Sequence, residues 1–198
     1  MKKLCFLLLF CCCYLSGYSQ SVWELEKDAS GIQVYTRNVN VSSIKEYKAT
    51  TLIKTSLKSL VNKIIDGEHL KDWNYKTTKS RLLEKKSDNE YLVYMYNDLP
   101  WPAKNRDHIS ELKLDVVSSL LIKIRIKSVP KTLTENRGVI RVVNFSGFWL
   151  LEKTKSGIKV TQQMHGDPGG SLPAFIVNSM LINAPFNTFK RLKEQLDN

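Results

Sequence analysis

Beyond position 13 this sequence has no cysteine, because all four (Cys5, Cys11, Cys12, Cys13) fall in the first thirteen residues. If that leader is removed, disulfide staples, thiolate metal sites and a cysteine nucleophile are excluded, and stability must come from packing. Histidine is scarce too: His69, His108 and His165 stand far apart, so no metal or other cofactor is expected. Gly-x-Ser-x-Gly and glycine-rich phosphate-loop patterns are missing, and so are internal repeats and low-complexity linkers. After residue 15 no apolar run approaches the ~20 residues of a membrane-spanning helix.

What stands at the start is an address. Lys2 and Lys3, an apolar run over 4–15 and the small-x-small triplet Gly17-Tyr18-Ser19 predict a signal peptide at 1–19, cut after Ser19. Cys11 follows Phe10 rather than a small residue, which argues against a lipidated cysteine. The remaining 20–198 then form a single exported domain, periplasmic or extracellular. The formal net charge is +11, of which Lys2 and Lys3 supply two. The basic residues are scattered along the chain, a pattern that suits contact with an anionic membrane surface and not nucleic-acid readout.

Ser21-Val22-Trp23-Glu24 has the spacing of a capping box and predicts a short helix stopped at Gly31. β-Branched and aromatic residues at 32–37 and 44–54 predict a hairpin. Leu57, Leu60, Val61, Ile64 and Ile65 recur at helical spacing behind Ser56. From 81 onward the period is two, clearest where Leu112, Leu114 and Val116 alternate with charges and where Leu120, Ile122, Ile124 and Ile126 do the same. Strands continue to 164 through turns expected at Ser146-Gly147 and Ser156-Gly157.

The order predicts an α+β domain with a curved antiparallel sheet of about eight or nine strands. Its dry face needs a cover, and the terminal segment is the only one long and apolar enough. Asp167-Pro168-Gly169-Gly170-Ser171-Leu172-Pro173 is a turn cluster, with Ser171 a candidate N-cap and Pro173 in the first turn. The helix that follows is apolar on every side through Ala184, which predicts complete burial there, while the half after Pro185 is expected to reach the surface. A sheet wrapped around one helix leaves a hollow unless large side chains fill it.

Pro100-Trp101-Pro102, Arg106-Asp107, Val139-Ile140-Arg141, Gly147-Phe148-Trp149, the 167–173 cluster and Asn178 stand in the order and spacing of the StAR-related lipid-transfer (START) domain family. Trp23 and the 31–37 strand fit as well, and the resemblance covers nearly all of 20–198. It implies a bacterial exported member with a helix-grip fold, whose internal hydrophobic tunnel shelters one lipid or similar molecule without catalysis, as a monomer. The alternative within the same superfamily is a cyclase or aromatase, which would need an acid or base aimed inward, such as His108 or His165 hydrogen-bonded to a carboxylate.

Candidate ligand-binding residues follow. Trp101 either plugs the sheet rim or lines a tunnel end. Arg106 and Asp107 are adjacent in a strand and so face opposite ways; an inward guanidinium at Arg106 needs a carboxylate, carbonyls or a ligand anion. Arg141 and Gln162 are either outward residues or polar points in an apolar lining. Met164, Phe175, Asn178, Met180 and Leu181 are where the last strand and the helix should meet ligand. The loop at 129–138 is a candidate lid or a solvated connection.

Overall fold

The computed structural model describes residues 21–101 and 103–197, so the signal-peptide reading of 1–19 lies outside the described residues. Ten strands form one sheet: β1 (Glu24–Ala29), β2 (Ile32–Val39), β3 (Ser42–Ile53), β4 (Thr77–Lys85), β5 (Glu90–Asn97), β6 (Arg106–Ser118), β7 (Leu121–Ser128), β8 (Ile140–Arg141), β9 (Asn144–Thr154) and β10 (Gly157–Asp167). The helices α1 (Leu57–Ile65) and α2 (Ala174–Leu196) complete the domain. The spatial order is β1-β2-β3-β10-β9-β7-β6-β5-β4, antiparallel throughout, with the two-residue β8 lying parallel to β6 off this path. The last strand in sequence therefore sits mid-sheet and hands the chain directly to α2.

The N-terminal segment is a strand and not the expected helix. β1 pairs with β2 from Glu24↔Thr36 to Ala29↔Ile32, and the connecting Ser30 and Gly31 both have positive φ (55° and 68°), as primed hairpin turns require. The Ser-Gly turn next to a strong β-strand outweighs the capping-box spacing at Ser21. With β8, this strand raises the sheet above the eight or nine expected. α1 forms as its periodicity predicts: Ser56 Oγ accepts from the Ser59 N–H at 3.0 Å, and Leu60, Val61 and Ile64 are buried.

Ser146-Gly147 is not a turn. Both lie inside β9, where Gly147 pairs with Met164. A Cβ at Gly147 would run into the Gln163 carbonyl and the Met164 sulfur, so the missing side chain permits close approach. Gly147→Ala is expected to lower the unfolding free energy by roughly 2 kcal/mol in urea denaturation, the cost of overpacking a site that cannot yield.

Burial along α2 runs opposite to expectation. Its N-cap is Pro173, without a side-chain cap from Ser171. Between Ala174 and Ala184 only Val177 is buried, whereas Pro185, Phe186, Thr188, Phe189 and Leu192 are all buried. The second half packs into an aromatic core in which Trp149 stacks on Phe189 at 5.5 Å and meets Trp73 edge-on at 6.0 Å. The first half is apolar without being enclosed: Val177, Met180, Leu181 and Ala184 border a cavity instead of packed core.

Candidate ligand-binding cavity

Between the first half of α2 and the inner face of the sheet lies a cavity of about 520 Å³. Its floor is the closed end of the domain, where Ile64, Leu70, Trp73, Val93, Leu112 and Trp149 are all buried. Its rim is the more exposed end, formed by Leu99 and Pro100 ahead of β6 and by Asp167, Pro168 and Leu172 ahead of α2. Val177, Met180, Leu181, Ala184 and Pro185 close it from the helix side.

Strand β6 runs the length of this space. Because side chains alternate, Arg106, His108, Ser110 and Leu112 all face in, a descent from charged to apolar over roughly 20 Å. Neighbouring strands supply the same inner face: Asn97 opposite Arg106, Met95 opposite His108, Val93 opposite Ser110. On the far side Gln162 and Met164 of β10 face in beside Tyr47. The Tyr47 hydroxyl donates to Gln162 Oε1 at 3.0 Å, and burial pushes that phenol's pKa up.

Arg106 is 4% exposed. One Nη donates to the Lys104 carbonyl and the other to the Gly169 carbonyl at 3.2 Å, while Nε has no partner among the described residues. No carboxylate pairs with it among the described residues. Burial lowers its pKa, with no neighbouring charge to offset this. His108 stands edge-on to Phe145 at 5.0 Å; burial pushes it down to about 4 against the pull of the Asp107 charge, so it is neutral near pH 7.

Asp107 and Arg141 turn away from the cavity as side-by-side partners in the β6–β8 pairing. Arg141 Nε and Nη2 donate to the two Asp107 oxygens at 2.6 and 3.0 Å, and both side chains are buried. The remaining Arg141 donors reach the carbonyls of Pro130, Leu133 and Thr134, while Asn136 and Tyr94 donate to Asp107 Oδ2. The 129–138 loop is thereby folded onto the opposite face of the sheet. It is not a lid over this cavity, and Arg141 is not a point in its lining.

The other sequence candidates divide in the same way. Gln162, Met164, Met180 and Leu181 line the cavity with Arg106. Asn178 does not: it accepts from the Lys45 N–H at 2.9 Å and donates to the Ser43 carbonyl, tying α2 to β3. Trp101 is 93% exposed and Phe175 74% exposed, and neither lines the cavity. Trp101 sits in the turn beyond the rim residue Pro100, past the end of β5, with its indole turned to solvent instead of into the cavity. His108, Ser110 and Leu112 are lining residues that the Arg106 position already implied, since stepping by two along β6 reaches each of them.

A wide antiparallel sheet gripping a C-terminal helix, with a largely apolar cavity between them, defines the helix-grip class of small-molecule binders. The chain belongs to the START domain family, whose model matches residues 16–198. A STAR-related lipid transfer protein from Xanthomonas axonopodis superposes with a TM-score of 0.83 and 34% identity, covering 89% of this chain and 99% of that one. An uncharacterised Pseudomonas aeruginosa protein is 30% identical over 172 residues, 86% of this chain and 85% of the relative. The Mus musculus phosphatidylcholine transfer protein is 27% identical over 183 residues, covering 89% of this chain and 84% of its own length.

Proposed function

We propose that this chain is a non-catalytic lipid carrier that holds one hydrophobic molecule between α2 and the sheet. The observation that carries this reading is the apolar hollow itself, present in a family member whose relatives are named for lipid transfer. Apolar surface leaving water contributes about 25 cal/mol per Å², so one acyl chain is held by several kcal/mol without any covalent chemistry. A cyclase or aromatase would need an acid or base aimed at its substrate. His108 is too weak a base at about 4, and His165 Nε2 lies 3.2 Å from the Ile44 carbonyl.

Loading would take place at an anionic membrane surface, with a monomer exported by the N-terminal segment into the periplasm or beyond. Trp101 and Phe175 are exposed aromatics beside the rim, on a chain of net positive charge. Such residues anchor proteins at the bilayer interface. Trp101→Ser is expected to weaken partitioning onto phosphatidylglycerol vesicles about tenfold, equivalent to 1.4 kcal/mol. Its lipid stoichiometry in solution should match the parent protein, measured by vesicle co-sedimentation and extraction in parallel.

Native mass spectrometry of the protein purified from its own host tests the central reading. One lipid mass per chain, on a polypeptide beginning at Gln20, is the expected spectrum. A chain that carries no lipid and takes up none from vesicles would overturn the carrier reading.

A further inference from the structure

We propose that the hairpin joining β6 to β7, at the closed end of the domain, is a second lipid-contacting surface that takes an anionic bilayer, so that one chain bridges two membranes, its cavity mouth on one and this tip on the other. The inference goes beyond the carrier reading and borrows from it only the membrane contact of Trp101 and Phe175 at the rim.

The first observation is apolar side chains where a turn calls for polar ones. Val116, Val117 and Leu120 are 67%, 61% and 55% exposed. Val117 is bulged out, unpaired between Val116↔Ile122 and Ser118↔Leu121, and Leu120 lies in the turn that closes the hairpin. Ser118 and Ser119 are ordinary turn residues. Valine at the bulge and leucine at the turn gain nothing from a fold that leaves them in water, and such breaches of local pattern mark functional surfaces.

The second observation is projection. β5 pairs with β6 only as far as Glu90↔Lys113, with one further bond from the Leu114 N–H to the Asn89 carbonyl, so the hairpin stands past the end of β5. On its other side the Lys153 N–H donates to the Leu120 carbonyl at 2.8 Å, which sets the turn between β9 and β10 against the tip. Along β6, Val116 lies beyond the floor residue Leu112 and, at about 3.3 Å per residue, roughly 30 Å from Arg106 at the rim.

The third is charge. Asp115 and Glu152, the carboxylates beside the tip, are taken by Arg125 and Lys159. Lys123, opposite Asp115, and the exposed Lys153 and Lys155 have no carboxylate partner among the described residues. Apolar side chains beside uncompensated lysines match a bilayer with anionic headgroups. A second copy fits less well: three such side chains expose a few hundred Å² at most, against about 800 Å² per partner in a stable complex, whereas a bilayer closes around a projecting tip.

Vesicles of equal parts phosphatidylglycerol and phosphatidylcholine, followed by dynamic light scattering and co-sedimentation, test the tip. The parent protein is expected to cluster them, raising the mean diameter about twofold or more, and to leave vesicles of phosphatidylcholine alone unclustered. Val117→Ser/Leu120→Ser should abolish clustering with an unchanged urea midpoint and lipid content, while total partitioning falls by no more than about twofold because the mouth still binds. Added to Trp101→Ser, the same pair should lower the residual partitioning about tenfold. Lys153→Glu/Lys155→Glu, which leaves the apolar side chains in place, should abolish clustering as well. Clustering undiminished in either tip variant, or a parent protein that leaves anionic vesicles unclustered, would overturn the inference and leave the carrier reading intact. So would a dimer in vesicle-free sedimentation velocity that the tip variants lose, which assigns the surface to a second copy. A parent protein that clusters vesicles through the tip yet carries no lipid would remove the carrier reading and keep this one.

Discussion

Asp107→Asn is expected to lower the free energy of unfolding by about 3–5 kcal/mol, the range seen when one partner of a buried ion pair is removed. The charge left behind belongs to Arg141, which is as buried as its partner and cannot reach water where it stands. The effect should extend beyond the pair, because the same guanidinium holds the carbonyls of Pro130, Leu133 and Thr134, and Asn136 donates to the missing oxygen. Backbone amides in the 129–138 loop should therefore exchange faster in the variant than the global destabilisation accounts for.

The pair also has a pH signature whose sign follows from the carboxyl. Burial alone raises the Asp107 pKa, but hydrogen bonds from Arg141, Asn136 and Tyr94 and the Arg141 charge outweigh it and hold the group below the usual carboxylate value. The stabilisation is therefore complete above the unfolded pKa, about 4, and is lost as pH falls through the lower folded value. Urea midpoints should separate parent from variant at pH 7 and converge as the pH drops below about 4. Equal midpoints at pH 7 would mean that the ion pair does not hold this face together.

The strands and helices legible in the sequence were those whose side chains obey one period. Alternation from Leu112 to Leu114 and from Ile122 to Ile126 marks β6 and β7 because each has one packed and one wet face there, though the pattern runs on to Val116, which is exposed; Ser56 with the apolar stripe behind it marks α1. Where a residue type serves two structural purposes, local pattern misleads. Gly147 looks like a turn and is a close approach; Ser21 and Glu24 look like a capping box, yet Glu24 opens an edge strand.

The site divides along the same line. Met180 and Leu181 follow from the apolarity of the helix; Gln162 shares strand parity with Met164 and faces the cavity beside it, although the sequence leaves its face open. Which of Arg106 and Arg141 would face the cavity was beyond sequence reading, because the answer depends on a two-residue parallel strand pairing that sets Arg141 beside Asp107. Phe175 and Trp101 failed as lining residues for a different reason. Large apolar side chains flank a cavity that opens to solvent as readily as they fill one, and only the rim's position distinguishes these cases.

Ser110→Phe should separate folding from carriage by moving them in opposite directions. Ser110 is buried midway along β6, faces the cavity, and lies between His108 toward the rim and Leu112 toward the floor. Aromatic residues suit strands, and a phenyl ring projecting into empty apolar space should leave stability unchanged or raise it by roughly 1–2 kcal/mol. A chain threading from the rim must pass this ring. If about four methylenes no longer reach the floor, at roughly 0.8 kcal/mol each, binding weakens by about 3 kcal/mol. That is on the order of a hundredfold in affinity, measured by displacement of Nile red with palmitate, alongside a urea midpoint at or above that of the parent protein. A variant that is more stable and still binds the chain with parent affinity would show that the ligand does not run along β6, and the cavity between α2 and the sheet would lose its claim to be the binding site.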